Sequence, residues 1–337
     1  MQALYPLKFT PQFKEKIWGG EQLKPLLNKN IPSDKTGESW EISAVENNLS
    51  IVTNGFLAGN SLQELIEIYM GDLVGEKNYD RFGIEFPLLI KYIDANDVLS
   101  VQVHPDNDLA QKRHNAYGKT EMWYVIDAQP GAKLISGFTK ELTKEEYTQH
   151  VEQGTLEQVL NFEPVKPGDV FYMPAGRVHA IGAGIVLAEI QQTSDVTYRI
   201  FDWNRTDEKG QGRELHTDLA LDAIDFKVEN KYRTDYEEAP NSAVSLVESS
   251  FFTTNKLKLN SELERNFPEI DSFRIYMCIN GEAELTCNEE TTEHISKGET
   301  VLIPASFEHI SIKPVEQATL LEVYLEDIDE SKKHEKK

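Results

Sequence analysis

The sequence predicts a mainly β protein built from two small barrels, with helical insertions attached to the first. Three observations predict it. The first is a phrase written twice: Pro167-Gly-Asp-Val-Phe-Tyr-Met-Pro-Ala-Gly-Arg-Val-His179 and Lys297-Gly-Glu-Thr-Val-Leu-Ile-Pro-Ala-Ser-Phe-Glu-His309, so that Gly168, Pro174 and His179 recur as Gly298, Pro304 and His309. A turn glycine, a short apolar strand and a proline that ends it read as a hairpin arm carrying a histidine to a barrel mouth. The second is length: 337 residues exceed what one hydrophobic core usually serves. The third is strand-like alternation of Val, Ile and Tyr around the duplicated phrase.

Along the chain, residues 37–52 and 87–103 read as strands of a barrel wall, and Ser61-Leu-Gln-Glu-Leu-Ile-Glu-Ile between them reads as a helix with Ser61 and Glu64 as its capping box. A helical island follows at about 139–163, where Thr143 to Glu146 and Thr155 to Gln158 form two capping boxes separated by Gly154. Comparison of the two copies supports an insertion there. With Ile126 set on Ile279, the path to the repeated glycine is 42 residues in the first copy (126 to 168) and 19 in the second (279 to 298), an excess of 23. A further helix is expected over His216 to Ile224. The polar stretch 230–241 reads as a linker between a first unit, 1–229, and a second, 242–325, in which Asn280-Gly281 is a hairpin-turn signal. Residues 326–337 are almost entirely charged and read as a frayed tail.

The net charge of −23 argues against nucleic acid and anionic membrane surfaces as partners, because both reward clustered Lys and Arg. Only two cysteines, Cys278 and Cys287, are present, and neither spacing suggests a disulfide framework or a thiolate zinc site. With no basic and apolar leader and no run of membrane-spanning length, a soluble cytoplasmic protein is expected. Nothing in the sequence specifies an oligomeric state.

Several side chains could share a ligand. In Val101-Gln102-Val103-His104 the strand period of two puts Gln102 and His104 on one face, and Pro105 then turns the chain. Fifteen residues after His104, Lys119-Thr-Glu121-Met-Trp-Tyr-Val starts another strand with Lys119 and Glu121 on a common face. The duplicated phrase adds His179. Two imidazoles and two oxygen donors suit Zn²⁺ or another borderline divalent ion with a position open for water or substrate. A lone histidine at a strand end is ordinarily a hydrogen-bonded structural residue; the grouping is what favours ligation. Gln102 is the weakest member, since an amide is a poor ligand and could instead orient its neighbours. Under the same alignment Glu121 falls on Arg274, Gln102 on Asn255 and His104 on Leu257, so the second unit is expected to be metal-free.

The spacing resembles that of cupin (jelly-roll) barrels, and the segments together resemble the type I mannose-6-phosphate isomerases in their shorter bacterial form. The matching segments are Lys16-Ile-Trp18-Gly-Gly20, Gly37-Glu-Ser-Trp40-Glu41, Pro87-Leu-Leu-Ile-Lys91, Leu99-Ser100-Val-Gln102-Val-His104-Pro105, Lys119-Thr-Glu121-Met-Trp-Tyr, Pro174-Ala-Gly-Arg-Val-His179-Ala and Tyr198-Arg199-Ile-Phe-Asp202-Trp-Asn-Arg205. They cover the chain as far as about Arg205. The resemblance implies one zinc ion per chain held by Gln102, His104, Glu121 and His179, an active-site Arg199, a small sugar phosphate as partner, and interconversion of mannose 6-phosphate and fructose 6-phosphate through a cis-enediol.

That reaction needs a carbon base and positive charge near the enediolate oxygens. Lys119 and Glu41 are the two candidate bases; burial beside a cation would lower a lysine's pKa toward a useful range. Trp18, Lys91, Ser100 and Arg205 are candidate substrate contacts. For Arg199 and Arg205 the structural alternative is an ion pair with Asp195, Asp202 or Asp207. Two other functions compete: an iron-dependent cupin dioxygenase, since an open metal position suits oxygen chemistry equally well, and a non-catalytic sugar-binding bicupin.

Overall fold

The computed structural model describes residues 4–206 and 209–326, so the expected tail at 327–337 and Asp207 lie outside the described residues. The chain is mainly β, but its strands form three open sheets rather than two closed barrels. A seven-stranded antiparallel sheet runs in the order Arg233–Thr234, Val170–Met173, Glu121–Ala128, Ile185–Gln192, Leu88–Ala95, Thr36–Ile42 and Gln12–Gly20. A five-stranded sheet runs Tyr198–Phe201, Val101–Val103, His179–Ala180, Lys133–Phe138 and Leu160–Pro164. An eight-stranded sheet carries the C-terminal unit.

The seven-stranded sheet is covered on both faces, which is why its central strands Leu88–Ala95 and Ile185–Gln192 are buried at every position instead of alternating. Trp123, Val125, Ile185, Leu187 and Ile93 join Leu134 of the five-stranded sheet, and Ile181 just beyond it, in one core. The intervening Met122, Tyr124, Ala188, Ile190, Ile90 and Tyr92 pack with Leu257, Ile275, Met277, Leu321 and Val323 of the eight-stranded sheet in another. A residue's parity along these strands therefore decides whether it meets the first unit's interior or the second unit. The units also exchange strands: Leu7–Lys8 pairs with Thr300–Ile303, and Arg233–Thr234, inside the expected linker, pairs with Val170 and Phe171.

The helix Leu62–Tyr69 has the expected Ser61/Glu64 capping box, and Lys144–Glu152 has the Thr143/Glu146 box. The second expected box is a single 3-10 turn, Leu156–Gln158, without a side-chain cap. Thr217–Ala223 forms the expected third helix. Asn280-Gly281 is not a hairpin turn: strand Arg274–Cys287 runs straight through it, and the register against His309–Tyr324 slips on either side, so Gly281, at φ 73°, sits in a bulge. The duplicated phrase is not a hairpin arm either. Val170–Met173 belongs to the seven-stranded sheet and His179–Ala180 to the five-stranded one, so Pro174 lies where the chain leaves one sheet for the other.

The glycines of the phrase are needed as turns, with φ of 90° at Gly168 and 87° at Gly298. At Gly298 an added Cβ would lie 1.9 Å from the Leu27 carbonyl oxygen, backbone of the other unit. Gly298→Ala is therefore expected to cost at least about 1–3 kcal/mol of stability, read as a lower denaturation midpoint; an unchanged midpoint would contradict this close approach.

Candidate metal centre and active site

Three adjacent short strands set the site. In the five-stranded sheet His179 stands opposite Gln102, and Gln102 opposite Arg199, so three of the expected residues form one row. His104 follows directly on this sheet, and Glu121 opens the strand of the larger sheet that faces it. One nitrogen of His104, one of His179 and a Glu121 oxygen all lie within 4.8 Å of one another. The amide nitrogen of Gln102, as placed, is 3.3 Å from Nε2 of His179. Rotating that amide would present its oxygen instead.

The donor set fits a metal. The Val196 carbonyl lies 3.0 Å from Nδ1 of His104 and the Arg177 carbonyl 2.8 Å from Nδ1 of His179. A backbone carbonyl can only accept, so each Nδ1 carries the proton and each Nε2 lone pair faces Glu121. Burial holds both imidazoles neutral: His104 is pushed well below the usual histidine range by burial and by Lys119, and His179 is pushed down to about 4. Glu121 is fully buried; its Oε1 has no hydrogen-bond donor, and its Oε2 is met by the Lys119 ammonium at 3.1 Å. Burial raises it to about 7. A buried carboxylate with an oxygen left without a donor, set between two preset imidazoles, is what a divalent cation would satisfy.

Beside the ligand group lies a cavity of about 260 Å³. Trp18, Lys91, Ser100, Gln102, Lys119 and Arg199, all named from sequence, line it. Lys119 Nζ is 3.1 Å from Glu121 Oε2 and 3.2 Å from His104 Nε2. Lys91 bonds Glu189 at 2.9 Å and Gln191 at 2.7 Å, and Trp123 donates its indole N–H to Glu189 at 3.0 Å. Burial alone would raise Glu189, but Lys91 and Lys119 outweigh it and hold the carboxyl at about 2. A larger cavity of about 390 Å³ lies between helix Glu76–Phe82 and residues 266–271. No histidine lines it, and the ligand group is elsewhere, so chemistry and not size identifies the site.

Two expectations are corrected. Glu41 is not in this cavity. The register slips between Trp40 and Ile42, and Glu41 turns to the face toward the second unit, where Ser39 donates to it at 2.6 Å and Lys29, over the Tyr92 ring, at 2.7 Å. Arg205 is also outside the cavity lining: it binds Asp202 at 2.6 Å and the Val98 carbonyl at 2.7 Å, the ion-pair alternative.

Sequence reasoning missed Lys16, Glu38, Trp40, Glu189, Asp195, Thr197 and Arg213, all of which line the cavity. Glu189 left a signal, a lone charge inside Ile-Val-Leu-Ala-Glu-Ile, because a charge in a fully buried strand must have a partner. Arg213 left none, because only the fold returns its loop to the site.

The duplication holds at the level of register. Glu121 pairs with Met173, the residue before Pro174, and Arg274 pairs with Ile303, the residue before Pro304. Arg274 thus occupies the place of Glu121, as expected. Asn255 and Leu257 do not occupy those of Gln102 and His104. Glu322 pairs with Tyr276 and Asn255 as Glu189 pairs with Trp123 and Lys91, so Asn255 stands where Lys91 does. His309 pairs with Glu264 at 2.9 Å.

Residues 6–148 match the family model described as phosphomannose isomerase type I, catalytic domain, and residues 242–324 the one described as mannose-6-phosphate isomerase, cupin domain. The chain is 40% identical over 304 residues to the mannose-6-phosphate isomerase ManA of Bacillus subtilis, covering 89% of this chain and 93% of that protein. It is 38% identical over 300 residues to the mannose-6-phosphate isomerase of Streptococcus mutans, covering 89% and 92%. A crystal structure of the Bacillus subtilis mannose 6-phosphate isomerase superposes with a TM-score of 0.84 at 35% identity, covering 95% of this chain and 99% of that one.

Proposed function

Because the chain belongs to the type I phosphomannose isomerases, we propose a division of labour among its residues for the reaction it catalyses, the interconversion of mannose 6-phosphate and fructose 6-phosphate. Gln102, His104, Glu121 and His179 would hold one zinc ion, which when bound supplies a Lewis acid to the sugar oxygens. Two imidazoles and a carboxylate would equally suit iron, but every relative named above is an isomerase, which favours this reading over a dioxygenase or a sugar-binding bicupin.

Lys119 carries the proton between C2 and C1 of the cis-enediol at its Nζ, which faces the cavity next to the ligands. Arg199, on the strand beside Gln102, offsets negative charge on the enediolate oxygens. Glu38 and Glu189 accept hydrogen bonds from sugar hydroxyls. Glu189 keeps its charge through Lys91. For Glu38, burial favours the neutral form, but Lys91 and Lys16 outweigh it and keep the carboxyl below its usual range. Trp18 and Trp40 wall the cavity, and Ser100 offers a hydroxyl. We assign the catalytic unit to 1–229 and the metal-free cupin unit to 242–325. No helix among the described residues is long and apolar enough to cross a membrane, and two free buried thiols support a cytoplasmic protein.

The observation that carries this reading is the meeting of two preset imidazoles with the buried carboxylate of Glu121 beside a cavity lined by Lys119 and Arg199. Stripping metal with a chelator is expected to abolish sugar-phosphate interconversion, and zinc to restore it. Full turnover by protein shown by metal analysis to be metal-free would reject the metal's role; no turnover by zinc-loaded protein would reject the reaction.

A further inference from the structure

The charges around the cavity are unevenly matched. Each of its three lysines faces a carboxylate: Lys16 is 3.1 Å from Glu38, Lys91 is 2.9 Å from Glu189 and Lys119 is 3.1 Å from Glu121. The arginine end differs. Arg199 has no carboxylate within ion-pair distance among the described residues; its Nη1 donates to the backbone carbonyl of Glu214 at 2.8 Å. Its Nε is buried without a partner. Next to it, Arg213 donates from Nε to Asp202 at 2.7 Å and holds the same carboxylate through Nη2. Asp202 is already bound by Arg205, whose other acidic neighbour is the exposed Asp97 at 3.6 Å. Two guanidinium groups, those of Arg205 and Arg213, thus share the Asp202 carboxylate while Arg199 has no such partner among the described residues, and Arg199 and Arg213 line the cavity together with the exposed Asp195.

The segment that carries Arg213 is fastened to the strand that carries Arg199. His216 N–H donates to the Arg199 carbonyl at 2.7 Å, and Arg199 N–H donates to Nδ1 of His216 at 3.0 Å. Asp202 is positioned by a strained turn: Trp203 and Asn204 both have positive φ, 58° and 54°, and the Trp203 indole is tied to the Leu99 carbonyl at 2.7 Å. Consecutive non-glycine residues in the left-handed region are costly and persist where the surroundings demand them. Here they hold the carboxylate that aims Arg213.

We propose that Arg213 is a phosphate-binding residue that holds the dianionic end of the sugar phosphate beside Arg199, which serves the enediolate, and that Asp202 acts as the positioning residue of Arg213. Forked guanidinium groups suit a phosphate monoester because each can donate two parallel N–H bonds to its oxygens. The inference deepens the isomerase reading and rests on it. It also moves to Arg213 a substrate contact that the sequence suggested for Arg205, which the fold spends on Asp202 and the Val98 carbonyl.

The test compares Arg213→Met, Arg213→Lys and Arg205→Met in the full-length, metal-loaded protein, with inorganic phosphate as a competitive inhibitor. Arg213→Met is expected to raise KM for mannose 6-phosphate by about 10- to 100-fold and to weaken phosphate inhibition in parallel. Turnover at saturation and bound metal should change little. Arg213→Lys should recover part of the loss, and Arg205→Met should leave phosphate inhibition within about twofold. Wild-type KM and phosphate inhibition in Arg213→Met would overturn the proposal, as would a loss that follows Arg205 instead. If Arg213→Met does not fold, Arg213→Lys decides alone, through a KM raised without a fall in turnover or an unchanged KM. Wild-type protein that turns over no mannose 6-phosphate would sink the isomerase reading instead.

Discussion

Glu121→Gln is expected to lose its bound metal and, with it, at least about 100-fold in turnover. The side chain stays nearly isosteric, so packing against Met173 and Gln191 across the sheet is kept. What changes is charge. The wild-type carboxylate is buried beside two neutral imidazoles, with Lys119 at its Oε2 and no donor at its Oε1, an arrangement a divalent cation stabilises and a neutral amide does not need. Metal analysis of the purified variant beside an interconversion assay reads both effects. Stoichiometric zinc retained by the variant would remove Glu121 from the ligand set, whatever the activity.

Lys91→Met is expected to destabilise the fold by about 3–5 kcal/mol, because it leaves the buried Glu189 charge without its partner. Adding Glu189→Gln should regain much of that loss, since the amide keeps an acceptor for the Trp123 indole while removing the charge. The pair also sets a pH dependence. The Glu189 carboxyl is lower in the folded protein, about 2 against an ordinary 4.5, so its contribution is present above 4.5 and is lost as pH falls from there toward 2. Lys91 is raised in the folded state, so its contribution is present below its ordinary value and fades only as pH rises through the higher one. Denaturant titrations of wild type and Lys91→Met between pH 5 and pH 3 should therefore converge on the acid side. Parallel curves over that range would show that Glu189 does not depend on Lys91.

The candidate ligand group was legible because each member comes from a short segment with a strong local pattern. Strand alternation paired Gln102 with His104, and the duplicated Gly, Pro and His marked His179. The cavity's other walls were less so. Glu41 and Glu38 stand three apart in one strand, so the strand period of two puts them on opposite faces, and only the packing of the sheet decided that the face of Glu38 and Trp40 meets the site. Arg205 and Arg213 are both arginines after the same strand, and the turn at Trp203-Asn204 gave Asp202 to both while admitting only one to the cavity.

Residue order alone established the β-rich class, the doubled motif and two of the capping boxes, and pointed to the His104, Glu121 and His179 that the fold brings together, because these depend on periods of two and on turn chemistry within a dozen residues. Tertiary structure decided that the sheets stay open, that the N-terminal strand pairs with the distant unit, and which charges meet in the cavity. Those outcomes rest on which face of a doubly covered sheet each side chain takes, and that choice is made by strand register against partners up to hundreds of residues away.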